Sequence, residues 1–243
     1  MGRADHGFMK SNDVVLITGA SKGLGLALAR RLARRGHPLV LNARGAEALR
    51  EASDELSRYT KVIAVPGDVS EIAEELAGHA LAYFGRVDVL INNASELGPS
   101  PMPLLEEHSW ESLLRIFRVN VVAPLHLAQL LLPGMRGCGR GTILNISSDA
   151  AVNAYPGWGG YGSSKAALEH ASRILAAELE GSGVRVLVVD PGDMNTEMHA
   201  LATPGADLSE LASPDDVAPA VLELLNGREA FARAEAQRMA VRQ

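Results

Sequence analysis

The sequence predicts an α/β fold, a single doubly wound parallel sheet flanked by helices on both faces. Three observations carry that expectation. Short apolar runs rich in Val, Ile and Leu, bounded by polar or turn residues, read as buried parallel strands. Stretches with helical spacing separate these runs, so strand and helix alternate at the interval of βαβ units. A glycine-rich turn joins the first strand to the first helix, where such sheets bind phosphate groups.

The first strand is Asp13-Val-Val-Leu-Ile-Thr18, and the turn Thr18-Gly19-Ala-Ser21-Lys22-Gly23-Leu24-Gly25 follows it. A helix over Leu26 to Arg35 closes at Gly36. Pro38 to Asn42 is a strand, Ala46 to Arg58 a helix, Lys61 to Val65 a strand and Glu71 to Phe84 a helix. Val87 to Ile91 is the fourth strand, and a long helix runs from about Ser109 to Met135. Thr142 to Ile146 ends in the paired serines Ser147 and Ser148, and Tyr161 to Glu180 has helical spacing. Val184 to Val189 is the sixth strand, and Pro214 to Leu225 a helix with Ser213 as N-cap. The small residues of Glu197 to Ser213, with Pro204 and Gly205, read as a mobile loop. Residues 229–243 fit neither strand nor helix decisively.

With 243 residues, 47% hydrophobic and 21% charged, the chain can bury one large core. A net charge of −6 offers no basic footprint for nucleic acid or anionic lipid. Cys138 is the only cysteine, which excludes an internal disulfide and fits a reducing compartment. No unbroken apolar run reaches the roughly 20 residues of a membrane span. Met1 to Asp13 lacks the apolar core of a secretory signal. The expectation is a cytoplasmic protein with a flexible tail over residues 1–12, a single domain over 13–243, and no metal.

The glycine turn lets the backbone approach a pyrophosphate resting on the following helix. An acid that would bond the ribose of NAD is expected after the second strand, yet that site reads Leu41-Asn-Ala43-Arg44. A guanidinium there suits a 2′-phosphate, and Lys22 adds a second cation, which favours NADP(H). Tyr161 and Lys165 are four residues apart on one helix face, so the ammonium can draw the phenol pKa down from about 10 toward neutrality. By strand alternation Ser147 should point away from Ser148.

These motifs, together with Asn92-Asn93-Ala94-Ser95 after the fourth strand and Pro191-Gly192 after the sixth, resemble the classical short-chain dehydrogenase/reductase family, with its Rossmann-like sheet. The resemblance runs from about Asp13 to Leu225. It implies that Ser148, thirteen residues before Tyr161, polarises a substrate carbonyl, and that Tyr161 is the general acid/base. It further implies that Lys165 bonds the nicotinamide ribose and that Asn120 anchors a proton-relay water. Pro124, four residues after Asn120 and without an N–H, should leave the Asn120 carbonyl open for that water and kink the helix. The resemblance also implies cofactor contacts from Gly19, Ser21, Gly23, Leu24, Gly25, Asp68, Val69, Asn93, Ala94, Pro191, Gly192, Met194 and Thr196. Trp158, Tyr155 and Glu96 are candidate pocket walls. The Glu197–Ser213 loop would cover the substrate, and the 109–135 and 161–180 helices would pair in a homodimer or homotetramer.

Two departures stand out: Ser95 replaces the family's usual glycine, and the usual Asp-Gly-Gly ending is missing. The expected function is an NADPH-dependent reductase, reversibly an alcohol dehydrogenase, acting on a small carbonyl or hydroxyl substrate. The alternatives are a non-catalytic NADPH-binding sensor or scaffold, or a nucleotide-sugar epimerase or dehydratase.

Overall fold

The computed structural model describes residues 9–10, 12–227 and 229–237. Most of the tail expected over residues 1–12, and the end of the chain from 238 onward, lie outside the described residues. The elements are β1 (Val15–Thr18), α1 (Gly23–Arg34), β2 (Leu39–Ala43), α2 (Ala46–Leu56), β3 (Val62–Pro66), α3 (Ala73–Phe84) and β4 (Val89–Asn92). They continue with α4 (Trp110–Phe117), α5 (Ala123–Gly137), β5 (Gly141–Ile146), α6 (Gly159–Glu178), β6 (Val184–Asp190), α7 (Glu197–Ala202), α8 (Pro214–Leu224) and β7 (Phe231–Glu235).

The seven strands form one parallel sheet in the order β3-β2-β1-β4-β5-β6-β7. The order reverses between β1 and β4, which opens a crevice at their C-terminal ends. Successive strand residues face opposite sides. Ile17, Leu41, Leu144 and Leu187 pack with Leu28, Leu32, Leu56 and Val221 of α1, α2 and α8. Leu16, Val40, Leu90 and Ile143 pack on the other face with Leu76, Leu127 and Leu131 of α3 and α5. Two apolar layers thus clamp the sheet.

The N-terminal rim of the sheet is pinned by charge. Asp13 and Asp88 are 2% and 4% exposed. Asp88 accepts from Val14 N at 2.8 Å and from Arg86 Nε at 2.9 Å, and Arg140 pairs with Asp13 while reaching Asp88 at 3.3 Å.

Three segments differ from expectation. The long helix is not one α-helix: α4 and α5 are joined by a π-helical turn, Arg118–Val122, in which Ala123 N donates to Arg118 O five residues back. The loop from Glu197 contains the short helix α7, capped by Thr196 accepting from His199 N at 3.2 Å. The undecided C-terminal stretch contributes β7, paired in parallel with β6. Ser213 caps α8 as expected, with Asp216 returning the hydrogen bond. By length and composition Trp110–Gly137 could span a bilayer, but half of its most apolar window is buried in the fold. Its α5 part packs against α3 and β5 as a core helix does.

Candidate active site

The glycine turn is too tight for side chains. Gly19 has φ +65°, and a Cβ there would come within 2.8 Å of Asn93 Nδ2. On Gly25 a Cβ would lie 2.2 Å from Gly19 O. The turn opens on the N-terminus of α1, whose first residues are Gly23-Leu24-Gly25, a combination that fits a pyrophosphate. Asn93 Nδ2 donates to Thr18 O at 3.0 Å and Gly19 O at 3.1 Å, and Thr18 Oγ1 accepts from the Asn93 and Ala94 amides. Asn92 Nδ2 donates to Asn145 Oδ1 at 2.8 Å. The asparagines therefore tie the ends of β1, β4 and β5 together.

Both cations proposed to read a phosphate are exposed and hold carboxylates. Arg44 Nη1 is 3.1 Å from Glu96 Oε2, and Lys22 pairs with Glu197 at the start of α7. Ser21 stands beside Lys22 in the turn, and Leu24 is buried. Asp68 accepts from Ser70 N and Oγ and pairs with Arg115. Burial pushes its carboxyl up, but these hydrogen bonds outweigh it and hold Asp68 below the usual value. Val69 beside it is buried.

Tyr161 lies in the first turn of α6 and Lys165 one turn further on. Lys165 Nζ is 5.5 Å from the Tyr161 ring centroid and donates to Ile146 O at 2.8 Å. Ser148 stands two residues beyond β5 and caps a 3₁₀ turn by accepting from Ala150 N at 3.2 Å. The Ser95 and Ser148 hydroxyls stand near the Tyr161 phenol and favour its ionised form, but donate to Asn120 Oδ1 and Asp149 Oδ1. The expected lowering of the phenol pKa does not occur in this state. Burial dominates both groups, pushing Tyr161 up to about 12 and Lys165 down to about 8. Proximity of the ammonium does not offset the loss of water around the phenol.

Asn120 sits buried inside the π turn. Its Oδ1 accepts from Glu96 N at 2.7 Å and Ser95 Oγ at 3.2 Å, and its Nδ2 donates to Glu96 O at 2.8 Å and Ser164 Oγ at 2.9 Å. The amide is thus a strut between the β4 loop and α6. Pro124 enters at the first turn of α5, so the break it was expected to make takes the form of a wider turn.

At the end of β6, Gly192 has φ +74° and its N–H donates to Asp190 Oδ1 at 2.9 Å. Pro191 precedes it, and Met194 bridges to Ala212. Thr196 Cγ2 would be 3.9 Å from a Cβ on Gly23, so the α7 segment reaches the glycine turn. Ser100 Oγ donates to Leu201 O at 2.7 Å, holding the other end of α7 across the crevice.

Trp158 meets both Tyr155 and Tyr161 edge-on, at 6.0 and 5.9 Å between ring centroids. Tyr155 and Trp158 line a cleft with Leu105, Pro156 and Ser163, beside Tyr161 rather than around it.

Four site residues were missed in the sequence. Ser95, read only as a departure, donates its hydroxyl to Asn120 Oδ1 at 3.2 Å and stands near the Tyr161 phenol. Asp149 accepts from Ser148 Oγ at 3.2 Å and Tyr155 OH at 2.6 Å. Ser147 does point away from Ser148, and it donates to the buried Glu169 at 2.7 Å. Arg233 of β7 binds the same carboxylate. Nothing local in the sequence marks these contacts, except that Glu169 follows Lys165 by one helical turn.

The family model for short chain dehydrogenases matches residues 13–206. A 1-deoxy-11-beta-hydroxypentalenate dehydrogenase of Streptomyces exfoliatus is 37% identical over 216 residues, covering 86% of this chain and 78% of that one. Glycine betaine reductase ATRR of Emericella nidulans is 32% identical over 236 residues, which span 93% of this chain but only 18% of that protein. An alcohol dehydrogenase of Thermococcus sibiricus complexed with 5-hydroxy-NADP superposes with a TM-score of 0.79 at 34% identity, over 92% of this chain and 94% of that one. A 7α-hydroxysteroid dehydrogenase complexed with NADH and 7-oxo glycochenodeoxycholic acid gives 0.85 at 29% identity, over 97% of each. The fold and the crevice are those of a nicotinamide-dependent oxidoreductase. The chain belongs to the classical short-chain dehydrogenase/reductase family.

Proposed function

We propose that the protein is an NADPH-dependent carbonyl reductase, acting reversibly as an alcohol dehydrogenase on a small-molecule substrate. The observation that carries the reading is the convergence of Ser148, Tyr161, Lys165 and Asn120 on one side of the crevice, opposite the glycine turn. Bound nicotinamide supplies or takes up the hydride. Tyr161 gives its phenol proton to the substrate oxygen, and its high proton affinity keeps it in the donating form. Ser148 orients and polarises that oxygen as negative charge develops on it. Lys165 bonds the ribose and refills the phenol proton. Asn120 fixes the β4 loop against α6, so that Ser95 and Tyr161 keep their relation.

The preference for NADPH rests on Arg44 and Lys22, with Glu96 and Glu197 as the partners they exchange for the 2′-phosphate. The relatives support either nicotinamide, one structure holding 5-hydroxy-NADP and another NADH. Gly19, Ser21, Gly23, Leu24 and Gly25 would hold the pyrophosphate; Asp68, Val69, Asn93 and Ala94 the adenosine; Pro191, Gly192, Met194 and Thr196 the carboxamide. Exposed Trp110, Leu114, Val122 and Ile174, from α4 through α6, support a homodimer or homotetramer through these helices.

A panel of ketones and acyl thioesters, followed by NADPH oxidation, tests the reading. Turnover with NADPH, and weaker turnover with NADH, is the expected result. Silence across the panel with intact NADPH binding would favour the sensor.

A further inference from the structure

Glu169 lies one helical turn beyond Lys165 on α6, and both side chains are buried. Three elements hold this carboxylate. Ser147 Oγ donates to it at 2.7 Å from the end of β5, Arg233 Nε at 2.9 and 3.1 Å from β7, and Arg173 of α6 itself stands at 3.7 Å. Ser147 sits between Ile146, whose carbonyl accepts from Lys165 Nζ at 2.8 Å, and Ser148. The carboxylate and the ammonium are thus anchored to adjacent residues of one strand. Packing alone does not call for such a pair, since apolar residues of similar volume commonly replace a buried ion pair at no loss of stability.

We propose that Glu169 and Arg233 are positioning residues that set the charge state of Lys165, Glu169 holding the ammonium protonated and Arg233 limiting that pull. The inference rests on the role of Lys165 in the reductase reading above. The charged and titratable groups around the pair are Tyr161, Lys165 and Arg173 on α6, Asp190 on β6, and Arg233 and Glu235 on β7. Burial pulls Lys165 down and the Glu169 charge pulls it part of the way back, leaving it at about 8. The balance falls near working pH, where a change of one neighbouring charge alters how much ammonium is present. An ion pair placed only for rigidity would not need to lie beside the buried lysine of the site.

The chain's lysines are Lys10, Lys22, Lys61 and Lys165, few enough to follow individually. In the full chain labelled with ¹⁵N-lysine, a pH titration by NMR reads the Lys165 midpoint directly, with Lys165→Arg assigning the signal. Glu169→Gln is expected to lower that midpoint by about one pH unit, and Arg233→Gln to raise it. The double variant should return close to the parent. In the reduction direction, the high-pH fall of kcat/KM should move the same way in each variant, because kcat/KM reports groups of the free enzyme. A midpoint unmoved by Glu169→Gln, or moved in the same direction by both single variants, overturns the proposal. Should Glu169→Gln fail to fold, a midpoint unchanged or lowered in Arg233→Gln overturns it equally. A protein that turns over no carbonyl substrate removes the reductase reading, while the NMR titration still decides whether Glu169 and Arg233 govern Lys165.

Discussion

At the rim where the strands begin, each buried carboxylate has a guanidinium against it; at the rim where they end, Glu169 has such a partner in Arg233, but burial itself governs Tyr161, Lys165 and Asp190. Hydrogen bonds to Asp88 and Asp13 raise the proton affinities of Arg86 and Arg140. At the other rim, loss of water pushes Lys165 down, and Tyr161 and Asp190 up, each toward its neutral form. The first arrangement resists any change of protonation. The second keeps protons exchangeable, at some expense of stability. One sheet therefore keeps its structural charges and its chemical ones about a strand length apart.

The sharpest way to break this contrast is Tyr161→Phe. It should lower kcat by about 10²–10⁴ while leaving NADPH binding and thermal unfolding nearly unchanged. Near-normal turnover in steady-state assays would remove the mechanism. Asp88→Ala is the converse, leaving Arg86 and the Val14 amide without their acceptor while Arg140 keeps only Asp13. Denaturant unfolding should show a loss of roughly 3–5 kcal/mol, with activity per folded molecule retained.

A smaller effect tests the two cations proposed to read a 2′-phosphate. Ala43→Asp with Arg44→Ala should shift the kcat/KM ratio from NADPH toward NADH by roughly tenfold or more. An unchanged preference would transfer the role to Lys22. The smallest concerns Pro124→Ala, which restores an N–H just after the π turn. It should slow turnover about two- to tenfold, the scale of one hydrogen bond, and weaken cofactor binding less.

The sheet was legible because parallel strands buried on both faces carry unbroken apolar runs, as 15–17 in β1 and 186–189 in β6 do. β7 was not, since Phe231-Ala-Arg-Ala-Glu235 is only partly buried and lies at the edge. Its Arg233 finds a partner 64 residues away, a distance no local pattern reports. Pro124 announced a break in the long helix but not the five-residue register around Asn120. The Tyr161–Lys165 pair was legible from spacing, whereas their proton affinities depend on burial, which spacing does not contain. Ser95 read as a missing glycine, and its hydroxyl acquires meaning only where Asn120 and Tyr161 meet.

Because Arg233 belongs to β7, the last strand in chain order among the described residues, it also sets a timetable. During synthesis β1 to β6 and α6 leave the ribosome before β7 does. Until that strand docks on β6, Glu169 faces an open sheet edge, and water takes the place of the guanidinium. On the proposal above, the proton affinity of Lys165 would then differ until that edge is closed.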